Sequence, residues 1–322
     1  MRSVALGLFA VAAVFAQAAN AQDYPARPVK LIVPFAAGAG TDLTGRMVAE
    51  QLSRRLGQQF VVENKPGAAA QLGTDLVAKS DPDGYTLLWT VSDGLSVLPA
   101  VKAPLPYKVP DDFAFIGSIA QQAYTVSVSA QRDFKTFADL VAYAKNNPGH
   151  LMNYGSAGMG SAPHLTLAMI AAGAGIQMVH VPFAGLGPAT NALMAGQVDV
   201  GLVTPVQGKQ LIATGSIRAL AFTGETRSRL LPDVPTLKEV GINGTSIISY
   251  GLLAPAKTNA PIIARLRRTL RDMMSDTAFA GHLFAMGYDV KPLIGDDYRD
   301  FIVKDLDKWR AIAKAGNIKI EN

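Results

Sequence analysis

Two glycine-rich stretches hold the residues that could do chemistry. In the first, Gly38 and Gly40 stand just ahead of Thr41 and Asp42; in the second, Ser156, Gly158, Gly160 and Ser161 run into an apolar helical pattern. Glycine lets the backbone approach a ligand closely and reach positive φ, and Thr41 or Asp42 can cap the helix that follows. The N–H groups of such a helix's first turn, backed by the positive end of its dipole, form an anion cradle. Nucleotide pyrophosphate is the familiar guest, but Gly38, Gly40 and Gly45 give G-x-G-x-x-x-x-G rather than G-x-G-x-x-G, and no Gly-Lys-Ser/Thr follows. The alternative is a tight strand-to-helix turn that holds nothing, which is common in α/β folds.

The elements that position these turns follow from periodicity. Lys30 to Pro34 reads as a buried strand, and a helix from Thr41 closes at Gly57, with Leu43, Met47, Leu52 and Leu56 as its inward stripe. A strand at Phe60 to Val62, a helix at Gln71 to Lys79 and a strand at Tyr85 to Thr90 complete a first half; a proline-containing connection runs from Lys102 to Pro110. After a strand at Tyr124 to Ser129 the pattern restarts. Thr136 and Asp139 match a capping box, a strand at Leu151 to Tyr154 enters the second glycine turn, and a helix runs through Leu165 to Ala172. Strands at Met178 to Val181, Val198 to Val203 and Ile217 to Phe222 follow, with a helix from Pro188 to Ala195. Leu231-Pro232-Asp233-Val234-Pro235 marks a return crossing, and Ser246 to Leu253 with the helices beyond Ala260 rejoin the first half.

This alternation predicts an α/β architecture of two lobes, each a mainly parallel sheet flanked by helices. Residues 22–123 and 246–322 form lobe 1 and residues 124–245 form lobe 2, an arrangement that permits hinge closure around a ligand. Each half sets a glycine turn between an early strand and a helix, so the two turns can face each other across a cleft. Thr90 and Ser92, at the end of the third strand, stand where open α/β sheets place ligands. Trp89 and Tyr250 either line the cleft or belong to the core.

Arg2, the apolar run Val4 to Ala16 and Ala19-Asn20-Ala21 read as a signal peptide over residues 1–21, cleaved between Ala21 and Gln22. The run is shorter than the roughly 20 residues that span a bilayer. Export points to the periplasm, where NAD and ATP are rarely met. With no cysteine, disulfides and thiolate metal sites are excluded. The histidines, at 150, 164, 180 and 282, lack metal-ligand spacing, so neither a metal nor a cofactor is expected. The formal charge of +5 falls by one when Arg2 leaves, and Arg54-Arg55 and Arg267-Arg268 read as solvated helix faces, not a nucleic-acid patch. A mild positive excess suits acidic small ligands.

Several motifs together carry a resemblance. They include Val33-Pro34-Phe35 with the glycine turn and Thr41-Asp42, Val61-Val62-Glu63-Asn64-Lys65-Pro66-Gly67, and Asp81-Pro82-Asp83-Gly84-Tyr85-Thr86-Leu87. In the second half they are Asn153-Tyr154-Gly155-Ser156, His164-Leu165, Val179-His180-Val181-Pro182-Phe183, Gly196-Gln197-Val198-Asp199 and Leu231-Pro232-Asp233-Val234-Pro235-Thr236. In order, and over the whole mature chain, the sequence resembles the substrate-binding proteins of tripartite tricarboxylate transporters, the Bug proteins.

The resemblance implies a periplasmic binding protein fold of type II-like organisation and a receptor that delivers an organic carboxylate, such as a di- or tricarboxylate or an aromatic acid, to large and small membrane permease subunits. It implies a monomer. It also implies that backbone N–H groups, hydroxyls and ordered water from the two turns hold the carboxylate without an arginine. Carried over, the ligand-binding residues are Ala37, Gly38, Ala39, Gly40, Thr41 and Asp42, with Ser156, Gly158, Gly160, Ser161 and His164. Ala39 interrupts a usual run of three glycines, Phe183 precedes Ala184 where the family usually has lysine, and Thr204 stands where an acidic or amide residue is common. Phe183 and Thr204 therefore join the candidates, and loss of an acidic group at Thr204 favours a plain carboxylic acid over an amino acid.

Individual residues keep a structural alternative. Asp42 either orients ligand waters or caps its helix; His164 donates either to a ligand or to local backbone. Ser156 does not form a nucleophile elbow, because Tyr154 occupies a glycine position of G-x-S-x-G. Transport leads as the function and no catalysis is expected; presentation of a bound ligand to a membrane sensor kinase and an exported hydrolase are the alternatives.

Overall fold

The computed structural model describes residues 24–38, 40–316 and 318–319. The expected leader, its cleavage position between Ala21 and Gln22, and Ala39 lie outside them.

The chain begins with β1 (Val29–Val33), α1 (Gly40–Leu56), β2 (Phe60–Asn64), α2 (Gln71–Ala78), β3 (Thr86–Val91), α3 (Val97–Val101) and the long β4 (Phe113–Ala123). It continues through β5 (Thr125–Ser129), α4 (Phe137–Asn146), β6 (Met152–Ser156), α5 (Ala162–Ala174), β7 (Met178–Pro182) and α6 (Leu186–Met194). Then come β8 (Val200–Val203), α7 (Pro205–Ala213), β9 (Ile217–Phe222) and β10 (Ile247–Pro255). The remainder is α8 (Ala260–Met274), α9 (Thr277–Ala285), β11 (Leu293–Ile294) and α10 (Asp296–Ala315). Among the described residues, no helix is long and apolar enough to cross a membrane.

Two sheets result, ordered β11-β4-β10-β3-β1-β2 and β7-β6-β8-β5-β9. The two-lobed α/β class is as the sequence predicts. The pairing is more mixed than expected: β2-β1-β3 and β7-β6-β8 are parallel, and the other neighbours run antiparallel. The cause is topological, since each sheet takes in a strand that has just crossed from the other, β5 in one and β10 in the other. Helices cover both faces, so central strands read as continuous apolar runs: in β3, Leu87 to Val91 are all buried.

Of the expected inward stripe of α1, Leu52 is buried and Met47 and Leu56 pack half-buried against the core, while Leu43 departs from it. Gly45, Val48, Ala49 and Leu52 face the sheet, whereas Leu43 is 46% exposed. Gly45 explains the departure. A Cβ there would stand 2.8 Å from Trp89 Cδ1 and 3.1 Å from Val33 Cγ2, so only glycine lets the helix lie against that indole. Trp89 is wholly buried, and its Nε1–H donates to the Thr41 carbonyl at 3.1 Å and to Thr44 Oγ1 at 3.2 Å.

The strand β4 and the helix α7 have no counterpart in the sequence reading. Thr136 and Asp139 do form the capping box that opens α4. The Leu231–Pro235 segment is not the crossing: it lies against β9, where Phe222 N–H donates to the Pro235 carbonyl and Leu237 N–H to that of Phe222.

The passages between sheets lie at Tyr124 and at Ser246. Tyr124 alone joins β4 to β5. Thr223 ties both passages together: its N–H donates to the Tyr124 carbonyl, its Oγ1 accepts from Tyr124 N–H at 2.9 Å and donates to the Ser246 carbonyl at 2.7 Å, and its own carbonyl accepts from Ser246 N–H. Thr166 Oγ1, on α5, reaches Ser246 Oγ at 2.6 Å.

Replacing Thr223 by valine keeps the volume and removes the hydroxyl, leaving the buried Tyr124 N–H without its acceptor. Urea unfolding of Thr223→Val should show a loss of roughly 2 kcal/mol. A loss under about 0.5 kcal/mol would mean that the passages do not depend on this bridge.

Candidate functional site

Between the sheets lies a cleft of about 1190 Å3. Pro34, Phe35, Ala36, Gly40 and Thr41 line it from the β1–α1 turn, and Pro66 to Ala70 from the β2–α2 loop. Val91, Asp93, Gln122, Tyr124, Ile248 and Tyr250 line it from strand ends and passages. The opposite wall holds Ala157 to Ser161, Ala184 to Pro188, Thr204, Val206, Gln207 and Gln210. Met286 and Tyr288 complete it. The two glycine turns therefore meet across one cavity, each at the start of a helix.

The first turn is clamped from behind. Gly38 takes φ +81°, and its N–H donates to Asp42 Oδ2 at 2.8 Å. The same oxygen accepts from Arg46 Nε at 3.0 Å, while Asp42 Oδ1 accepts from Asn64 Nδ2 at 2.9 Å and pairs with Arg46 Nη2 at 3.0 Å. Asn64 Nδ2 also donates to the Phe35 carbonyl. Burial would raise the Asp42 carboxyl, but the hydrogen bonds from Arg46, Gly38 and Asn64 outweigh it and hold the group below the usual range. Asp42 is thus neither a water-orienting residue nor an ordinary helix cap. It is the clip that shapes the turn. Ala37 and Gly38 are exposed and do not line the cavity, whereas Gly40 and Thr41 do.

The second turn has its own brace. Ser156 is fully buried; its Oγ accepts from Gly158 N–H, contacts the Gly158 carbonyl and lies 2.6 Å from His180 Nε2. Ser161 caps α5, accepting from His164 N–H and donating to the Gly158 carbonyl at 2.8 Å. His164 Nδ1 accepts from Gly160 N–H at 3.1 Å, and its ring stacks on His180 at 3.8 Å. Tyr154 lies near-parallel to both rings, 5.1 Å from His180 and 6.2 Å from His164. Ser156 and His164 therefore shape the turn without lining the cleft, and His164 accepts where donation was expected. Gly158, Gly160 and Ser161 do line it. Ser156 is buried and its Oγ is engaged by the turn, while its partner His180 is half-buried.

Thr90 and Ser92 are fully buried. Thr90 Oγ1 contacts the Val91 carbonyl, and Ser92 Oγ accepts from Ser249 N–H. Val91, the last residue of β3, takes the cleft side where Thr90 faces inward, and Asp93 lines the cleft from the single helical turn Ser92–Gly94 that follows. Phe183 packs half-buried with Val181 and Val198, while the residues after it enter the lining. Thr204 lines the cleft from the start of α7, and no side-chain bond caps that helix. Trp89 is core, and Tyr250 is a buried lining residue whose OH donates to Gln122 Oε1.

Sequence reasoning missed the loop Ala68–Ala70 and the residue Asp93. The three alanines have φ of 47°, 53° and 74°, a left-handed run that costs L-residues on the order of 1–2 kcal/mol each. Strain of this kind clusters at ligand clamps; Pro66-Gly67 was its only sequence signal. Asp93 reaches across to the second lobe: Oδ2 accepts from Ala162 N–H, at the start of α5, at 3.2 Å. Its Oδ1 is buried with no partner. Burial, opposed by that N–H and joined by the charge of Asp305, pushes the Asp93 carboxyl up to about 6.

The histidine stack gives a pH test. Burial holds both rings below the usual value, His180 at about 4 with help from the His164 charge, while an unfolded histidine titrates near 6.5. The unfolded chain takes up these protons first. Stability is therefore intact above about pH 6.5 and is lost progressively as the pH falls towards about 4. Denaturant titrations across this window should show a shallower slope for His180→Gln than for the parent; equal slopes would exclude the stack as its source.

The comparisons with known proteins agree with this geometry. Residues 44–318 match the model of the tripartite tricarboxylate transporter family receptor, TctC. Protein BugT of Bordetella pertussis is 32% identical over 322 residues, covering 98% of this chain and 97% of that one. An R. palustris protein solved with adipate superposes with a TM-score of 0.83 at 28% identity, covering 92% of this chain and 99% of its own. MatC from Rhodopseudomonas palustris with bound malate gives 0.77 at 27% identity, covering 90% and 99%. Two glycine turns facing across one cleft, on a chain matched along nearly its whole length, place this protein in the tripartite tricarboxylate transporter receptor family of periplasmic solute-binding proteins.

Proposed function

We propose that this protein is exported by a leader cleaved between Ala21 and Gln22, captures a small organic carboxylate between its lobes, and delivers it to the large and small membrane subunits of a tripartite tricarboxylate-type transporter. Residues 22–123 with 246–322, and residues 124–245, are the two bodies that close on the ligand. The observation that carries this reading is the pairing of glycine turns at the starts of α1 and α5 on opposite walls of one cavity that no lysine, arginine or histidine lines among the described residues. A carboxylate only accepts hydrogen bonds, and the start of α1 with the Thr41 hydroxyl supplies donors without a buried counter-charge. In the second turn the N–H groups of Gly158, Gly160 and Ser161 already donate to Ser156 Oγ, His164 Nδ1 and the Gly158 carbonyl, so a carboxylate there takes them over from these acceptors. Gly40, Thr41, Gly158, Gly160 and Ser161 are the proposed contacts, with Thr204 setting the far end. The relatives solved with adipate and malate support a carboxylate as the ligand class.

The test is calorimetry and thermal shift on the mature chain with di- and tricarboxylates, aromatic acids and amino acids, each beside its carboxamide. A true ligand at 100 times its Kd should add about 2.7 kcal/mol to stability, and its amide should not. Thr41→Val should then weaken binding by about 10- to 100-fold, the loss of one hydrogen bond to a charged group, while the ligand-free melting temperature stays put. No response to any carboxylate would sink the reading, and full affinity in Thr41→Val would move the pocket away from the first turn.

A further inference from the structure

Among the described residues that line the cleft, Asp93 is the only one with a charged side chain. That is a poor setting for a simple anion. Asp93 accepts from the N–H of Ala162, the residue directly after the Gly158–Ser161 turn, so a ligand carboxylate held by that turn would lie beside another carboxylate. No lining cation relieves the repulsion. Asp305 adds to the negative field, although its own charge is engaged by Lys308 Nζ, Trp309 Nε1 and Ser96 Oγ.

Asp93 also lacks a donor. Its Oδ2 has one, while its Oδ1 is buried without any. A buried carboxylate oxygen left bare is costly, and among the described residues nothing in the fold covers it. The surroundings suit a cation. Tyr124 and Tyr250 line the cleft close enough for the Asp93 charge to bear on both phenols, and Tyr288 meets Tyr250 edge-on at 4.9 Å. A carboxylate among tyrosines is a setting that receives ammonium groups well.

We propose that Asp93 is a specificity-determining residue that selects a carboxylate also bearing a protonated amine, the amine seated on Asp93 and the carboxylate on the glycine turns. This rests on the carboxylate reading above and reverses the expectation, drawn from Thr204, of a plain carboxylic acid. The acidic group has not left the cleft; it stands at position 93. The amine does two things that a hydroxyl does not do together: it donates to the bare Oδ1 and it cancels the charge. Burial first, and then the Asp305 charge, raise the Asp93 carboxyl, the direction that a nearby ammonium would offset.

The test uses matched sets of acids that share a skeleton and differ only in an amino, hydroxyl or hydrogen substituent: aspartate, malate and succinate; glutamate, 2-hydroxyglutarate and glutarate; phenylalanine, phenyllactate and phenylpropionate. Each is titrated by calorimetry into the mature parent and Asp93→Asn. Asparagine keeps an oxygen for Ala162 N–H, and an unchanged ligand-free melting temperature confirms the fold. In the set that binds, the amino acid should be tighter than its partners by about tenfold or more, and Asp93→Asn should cost it roughly 30-fold while improving the unsubstituted acid. If the hydroxy or unsubstituted acid binds the parent as tightly as the amino acid, the inference falls and the carboxylate reading stands; the parent's ranking decides this even if the variant fails to fold. If no carboxylate binds at all, both fall.

Discussion

The hydroxyl and peptide groups of Thr223 hold together the two passages by which the chain travels between sheets. Everything else in the molecule is arranged around that junction. A chain that leaves one sheet, builds another and returns must thread a strand into each on arrival, and β5 and β10 run against both their neighbours while β2-β1-β3 and β7-β6-β8 stay parallel. The cleft is the space left where the two sheets meet, and its lining draws on both passages through Tyr124 and Ile248.

Recognition built on backbone donors needs those donors held still. Here the fixing groups are themselves charged or titratable, but they lie behind the turns. Asp42, tied to Arg46 and Asn64, fixes Gly38; the stacked pair His164 and His180, with Ser156, fixes Gly158 and Gly160. Asp42, Ser156 and His164, which first look like ligand contacts, serve instead to hold peptide groups of the turns in place, and they stand outside the cleft lining.

This explains what the sequence made legible. Alternating strands and helices, the capping box at Thr136 and the two glycine turns are local patterns, and local physics suffices to read them. The antiparallel strands β5 and β10 were placed as strands, but their direction depends on topology, which periodicity does not encode. On α1 the expected Met47, Leu52 and Leu56 do pack inward, but Leu43 does not, because Gly45 contributes no side chain to a hydrophobic pattern and yet its missing Cβ lets the helix lie against Trp89. Of the candidate residues, Gly40, Thr41, Gly158, Gly160, Ser161 and Thr204 line the cleft, whereas Asp42, Thr90, Ser92, Ser156 and His164 stand behind its wall. Thr90 and Ser92 are buried and Asp93 lines the cleft, because the strand ends at Val91 and a helical turn at Ser92–Gly94 redirects the chain, which residue type alone does not settle. The Ala68–Ala70 loop was invisible because alanine carries no signature of a left-handed backbone.

Tyr124 occupies two positions at once, the single residue joining β4 to β5 and a member of the cleft wall. Any rotation of one sheet against the other must twist the backbone there, held on one side by Thr223. A guest resting against Tyr124 thus bears on the pivot instead of on the rims of the jaws. Force applied at a fulcrum moves it little, but it changes the torque needed to swing the arms. On the function proposed above, a guest touching Tyr124 would stiffen the segment about which the two sheets would turn, so that occupancy and resistance to opening would change together.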